Sequence, residues 1–153
     1  MNKDGLGWLG IARFGLVQAS LGAIVVLTTS TLNRVMVVEL ALPALLPGVL
    51  VALHYAIQIL RPRFGHGSDC GGARTPWIIG GMAVLALGGV LAAASTLVMA
   101  HSTVSGVLVA TVAFLLIGMG VGASGTSLLV LLAATVSPAR RAAAATITWV
   151  MMI

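Results

Sequence analysis

From Val104 to about Val136 the chain carries no ionisable side chain. A helix of that length, at 1.5 Å rise per residue, exceeds the ~30 Å hydrocarbon core of a bilayer, so it must tilt, bend or protrude. The glycines from Gly118 to Gly125 are the expected bend. Composition makes the same demand of the whole chain: 59% of its 153 residues are hydrophobic and 7% charged, against roughly 25% charged in a soluble domain. The fold class that follows is an all-α membrane protein, in which the backbone satisfies its own hydrogen bonds inside lipid.

The remaining spans are read from their flanks. Residues 1 to 13, with Lys3, Asp4, Trp8 and Arg13, form a short interfacial segment rather than a cleavable signal. A first span runs from about Phe14 to Leu32 and is stopped by Asn33 and Arg34; a second runs from about Ala41 to Leu60 and is stopped by Arg61, Pro62 and Arg63. Thr75 as N-cap, Pro76 and the interfacial Trp77 open a third span, 77 to 100. The fourth is 104 to 136. Ser137, Pro138 and Arg140 then restart an apolar run, 142 to 153, of about half a span, so the natural protein is expected to continue.

Basic residues cluster at the N-terminus and in the 61 to 76 and 137 to 141 loops, with Arg34 alone on the other side. The positive-inside rule puts the N-terminus in the cytoplasm. The +5 formal charge sits at span ends and forms no patch, so nucleic acid is excluded as a partner. Cys70 is the single cysteine, and no His/Cys/acid spacing suggests a metal site.

The 61 to 76 loop holds a spaced signature. Gly65, Asp69, Gly72 and Arg74 fit the Gly-x-x-x-Asp-x-x-Gly-x-Arg core found between the second and third helices of major facilitator transporters. The resemblance implies a major-facilitator-like bundle of which this chain covers the first four to five of twelve helices. It also implies that Asp69 and Arg74 latch the cytoplasmic helix ends through a charge pair that is made and broken. Where the superfamily has a basic residue after the Asp, Cys70 stands here. Without the resemblance, a glycine-rich stretch with one acid is an ordinary tight turn.

Two further segments narrow the likeness. Thr31 to Leu40 and Arg74 to Gly81 resemble the PucC/LhaA family, a major-facilitator branch of phototrophic bacteria. Membership would imply a multi-pass protein of the cytoplasmic or intracytoplasmic photosynthetic membrane. Its expected role is a non-enzymatic factor that assembles light-harvesting complexes and handles bacteriochlorophyll, with light-harvesting polypeptides and the reaction-centre complex as partners. The alternative is a secondary transporter of a small amphipathic molecule. Proton-driven export finds little support, because it needs acids, histidines or a buried arginine inside the membrane and the spans offer only His54. A pigment prenyltransferase would need clustered aspartates for magnesium and diphosphate; none of the three acids adjoins another.

Polar residues within the spans admit two readings each. Gln18, Gly22, Thr29 and Asn33 share a helical face that should point into the bundle, either for packing or for a ligand. His54, Gln58 and Arg61 line one side of the second span. His54 either hydrogen-bonds within the bundle or, given the resemblance, ligates the magnesium of a bacteriochlorophyll. Arg34 and Glu39 could pair across a turn. The small-residue spacings Gly88/Ala92, Gly89/Ala93 and Gly118/Gly122 offer seams for close helix approach.

Overall fold

The computed structural model describes residues 5–153, and Lys3 and Asp4 of the expected interfacial segment lie outside it. Four helices are long and apolar enough to cross a membrane: α1 Trp8–Glu39, α2 Leu45–Cys70, α3 Thr75–His101 and α4 Thr103–Thr135. A shorter helix, α5, Arg141–Met152, follows a 3-10 turn at Pro138–Arg140. Among the described residues there is no strand, and the all-α membrane class holds.

Several span ends differ from the expectation, each for a local reason. α1 begins at Trp8, so residues 8–13 of the expected interfacial segment are the helix's own first turns. At its other end Asn33 and Arg34 do not stop it. Two π-helical stretches, Leu27–Thr31 and Val35–Glu39, carry it on to Glu39. Within the first of these, the Thr28 hydroxyl donates to the carbonyls of Ile24 and Val25 and the Thr29 hydroxyl to that of Val25, back-bonding of the kind that loosens a helical turn. Ala41, at φ 49°, then turns the chain, and α2 starts at Leu45 with Pro43 outside it and Pro47 in its first turn.

Pro62 fails to end α2. A 3-10 turn at Gln58–Leu60 restarts the helix, which places Pro62 in a first turn where no amide hydrogen is required. The helix reaches Cys70, so Gly65 and Asp69 are helical and only Gly71 to Arg74 form the turn. Thr75 is not the N-cap of α3; Arg74 occupies that position and Thr75 is the first helical residue.

α3 and α4 are antiparallel across Ser102 and make the most extensive helix contact in the chain. Buried α3 residues follow a 3-4 alternation, Ile78, Gly81, Leu85, Gly88, Ala92, Ser95 and Met99, which is the period of a left-handed pair. The backbones touch: a Cβ on Gly120 would lie 2.6 Å from Leu85 N and 2.7 Å from Gly81 O. Gly88 and Ala92 lie in this seam, whereas Ala93 is exposed. α4 is unbroken from Gly118 to Gly125. Those glycines serve contact instead, with Gly118 against His54 O and Ile57 of α2, and Gly122 against the Phe64 ring.

α5 packs along α1, with Gly15 against Met151, Gly22 against Met152, and Ile11, Leu132, Val136 and Ala144 forming a second small core. Leu6 N donates to Thr135 O at 3.0 Å, and the Arg140 guanidinium stands 5.7 Å from the Trp8 ring centre. These contacts fix the start of α1 to the α4–α5 corner. A groove is left between α1, α2, α4 and α5.

Candidate functional site

The groove has a volume of about 380 Å³. α1 contributes Gln18, Gly22, Val25 and Thr29, α2 contributes His54, Gln58 and Arg61, α4 contributes Gly125 and Thr126, and α5 contributes Trp149 and Met152. Thus the expected polar face of α1 does meet the expected polar side of α2. Asn33 is the exception and is exposed away from the groove. A π turn takes up an extra residue, so the register beyond Leu27–Thr31 is rotated relative to an unbroken α-helix, and Leu32 and Met36 are buried instead.

His54 is 1% exposed and sits inside a chain of hydrogen bonds along its own helix. Arg61 donates through Nη2 to Gln58 Oε1. That contact assigns the other end of the amide, Gln58 Nε2, as the donor toward His54 Nε2 at 2.8 Å. His54 Nε2 therefore accepts, and the ring proton resides on Nδ1. Nδ1 is buried with no hydrogen-bond partner, and so is Gln18 Oε1 on the facing helix, whose Nε2 donates to Met152 Sδ at 2.9 Å. An unmatched buried donor and acceptor each cost about 1–3 kcal/mol. Two of them beside one groove mark it as the polar centre of the bundle.

A second hollow, about 440 Å³, opens at one end of the α3–α4 seam between Phe64, Trp77, Gly80, Gly81, Met119 and Gly120. The small-residue seam was expected to serve close helix approach; a hollow at its end, walled by Phe64 and Met119, was not anticipated. Phe64 reaches it because α2 continues past Pro62, a continuation that the proline concealed.

The signature residues gather where α2 meets α3. Arg74 donates to Asp69 Oδ1 from Nη2 at 2.7 Å and from Nε at 3.2 Å, tying the last turn of α2 to the N-cap of α3. Gly72 takes φ +69°, the left-handed conformation that closes this turn. Gly65 faces the Thr126 methyl of α4 at a distance a Cβ would bring to 3.4 Å. Cys70 is exposed, with Sγ 3.5 Å from His66 Nε2. Arg34 and Glu39 do not pair; Asp69–Arg74 is the ion pair among the described residues. Nor do these residues include any group of three His, Cys, Asp or Glu placed to hold a metal.

Comparison with known proteins matches residues 31–153 to the model of the PUCC protein family. The chain is 63% identical over 148 residues to the bacteriochlorophyll synthase 44.5 kDa chain of Rhodobacter capsulatus, covering 97% of this chain and 35% of that protein. It is 32% identical over 131 residues to Protein PucC of Cereibacter sphaeroides, covering 78% of this chain and 28% of that one. It is also 36% identical over 124 residues to Protein PucC of Rhodobacter capsulatus, covering 72% and 27% respectively. No solved structure matches the chain. The chain spans about a third of the length of these relatives. With a family model covering most of its length and the apolar helices that the resemblance implied, this chain belongs to the PucC/LhaA family.

Proposed function

We propose that this chain is part of an assembly factor for bacterial light-harvesting complexes, one that takes up bacteriochlorophyll and presents it to single-span light-harvesting polypeptides. The observation that carries the reading is the pairing of two hollows in one bundle: an apolar one at the α3–α4 seam and a groove whose polar centre is His54 and Gln18. A pigment with a polar, carbonyl-bearing macrocycle and a long apolar tail has both characters. Ligand pockets that enclose drug-sized molecules run about 300–1,000 Å³, so a groove of about 380 Å³ takes one edge of such a ring. The name of one relative, a bacteriochlorophyll synthase chain, supports a link to this pigment.

Handling rather than synthesis fits the residues. Transfer of a prenyl group from a diphosphate needs carboxylates gathered around magnesium, whereas Glu39 ends α1 and Asp69 lies at the far end of α2. The outer face of α3, with Ile79, Leu87, Val90 and Leu97 exposed, suits lipid or a single-span partner helix. The reaction-centre complex is a further partner in the same membrane. Cytoplasmic placement of the α2–α3 turn follows from its arginines, and an impermeant thiol reagent should label Cys70 in inverted vesicles. Labelling from the opposite face alone would reverse the topology.

The deciding experiment is purification from pigment-producing cells in mild detergent, followed by absorption spectroscopy and identification of bound polypeptides. Copurified bacteriochlorophyll with light-harvesting subunits is expected. A preparation free of both, with a small amphipathic molecule in their place, would favour the secondary transporter, which the unmatched polar atoms of a groove between helices would also suit.

A further inference from the structure

We infer that His54 meets its ligand as a hydrogen-bond donor to a carbonyl and not as a ligand to a metal, with Gln58 and Arg61 as the positioning residues that enforce this. The inference rests on the pigment reading above and restricts it to one part of the pigment. Axial ligation of magnesium requires an imidazole nitrogen with a free lone pair. At His54 neither nitrogen has one. The lone pair on Nε2 accepts from Gln58 Nε2 at 2.8 Å, and Nδ1 carries the proton.

Reversing the tautomer is opposed from below. For Nε2 to become the donor, Gln58 would have to turn its carbonyl toward the ring and its amide nitrogen toward Arg61. Two donors would then face one another, because a guanidinium has no acceptor. The arginine thus acts through the glutamine on the histidine two turns away. Unmatched at the groove are one donor, His54 Nδ1–H, and one acceptor, Gln18 Oε1, both within residues that line it and both more than nine-tenths buried. A ring carbonyl satisfies the first. The second takes a hydroxyl, an amide or a bridging water.

The test compares bacteriochlorophyll a with its magnesium-free counterpart, bacteriopheophytin a, titrated into the purified protein in lipid nanodiscs and followed by absorption and tryptophan quenching. Both pigments are expected to bind the unaltered protein within about threefold of each other, and His54→Leu to weaken both by about five- to tenfold, the size of one net hydrogen bond. Gln58→Leu frees the Nε2 lone pair, so it should favour the magnesium pigment over the metal-free one. Nitrogen-15 NMR of labelled histidine, on the protein without pigment, should show the His54 proton held on Nδ1, and shared between Nδ1 and Nε2 in Gln58→Leu.

Binding of the magnesium pigment alone, or a His54→Leu loss confined to it, would overturn the inference and leave pigment handling standing. So would equal binding of both pigments with no effect of His54→Leu in a protein whose helicity and thermal unfolding are unchanged. A His54 proton found on Nε2 in the unaltered protein would overturn it without any pigment. Failure of both pigments to bind would overturn the inference and the pigment reading together.

Discussion

Along the contact of α3 with α4, small residues bring two backbones into touch, and the hydroxyls of Ser95 and Ser124 are returned to carbonyls of their own helices. Across the groove from α1 to α2, the helices stay apart, and Gln18 Oε1 and His54 Nδ1 find no partner. Both regions draw on the same vocabulary of small and polar residues within apolar helices. The difference is separation. Where a Cβ cannot fit, no ligand can, and the pair acts as a rigid unit; where helices part around long polar side chains, desolvated hydrogen-bonding capacity is left for something else. Of the four long helices α4 is the most buried and α2 the least, so the seam anchors the bundle and the groove borders its less enclosed side.

A single substitution has its largest effect at the seam. Gly120→Val should cost about 3 kcal/mol or more in detergent unfolding, since its side chain meets backbone atoms that cannot rotate away. Gly125→Ala, at the groove, has nothing within 4 Å and should stay within about 0.5 kcal/mol. Equal costs would erase the distinction between the two regions.

Next in size are the turns that hold the helices in place. Gly72→Ala should destabilise by about 1 kcal/mol, because its φ of +69° penalises a Cβ, and Ala41→Gly should stabilise by a similar amount at φ 49°. Thermal unfolding that moves both variants the same way would contradict the left-handed assignment.

Elsewhere on α4, Ser127 carries a buried hydroxyl without a partner. Replacing it by Ala should be neutral or stabilising by up to about 1 kcal/mol, and a clear loss of stability would mean that the hydroxyl has a partner. The smallest stability effect belongs to Asp69→Asn. Its half-exposed pair with Arg74 is worth about 0–1 kcal/mol. If the pair is a latch, an assembly assay should nevertheless fall further for Asp69→Asn than for Arg34→Gln, and equal falls would leave the signature without a role.

How far the sequence could be read depended on whether a helix kept its period. α3 does, and Thr75–His101 lies within two residues of the expected span at each end. The His54, Gln58 and Arg61 alignment was also legible, because the positions recur at four and three residues within one helix. Asn33 was misplaced by a π turn that no side chain announces, and the end of α2 by a proline that sits harmlessly in a restarted first turn. Gly118 and Gly122 were read both as part of a bend in α4 and as a close-approach pair, since glycine suits either; the position of α2 decides for close approach. The fourth wall of the groove comes from Trp149 and Met152, far from Gln18 in sequence, and no local pattern links them.

The two π-helical stretches of α1 have an evolutionary consequence. A π turn accommodates a single additional residue by looping it into the helix, leaving the turns on either side regular. α1 therefore has two places, Leu27–Thr31 and Val35–Glu39, where one codon can be lost while the faces beyond keep their neighbours. Related genes aligned through this helix should show isolated one-residue gaps at these two places, and uninterrupted alignment from Trp8 to Val26.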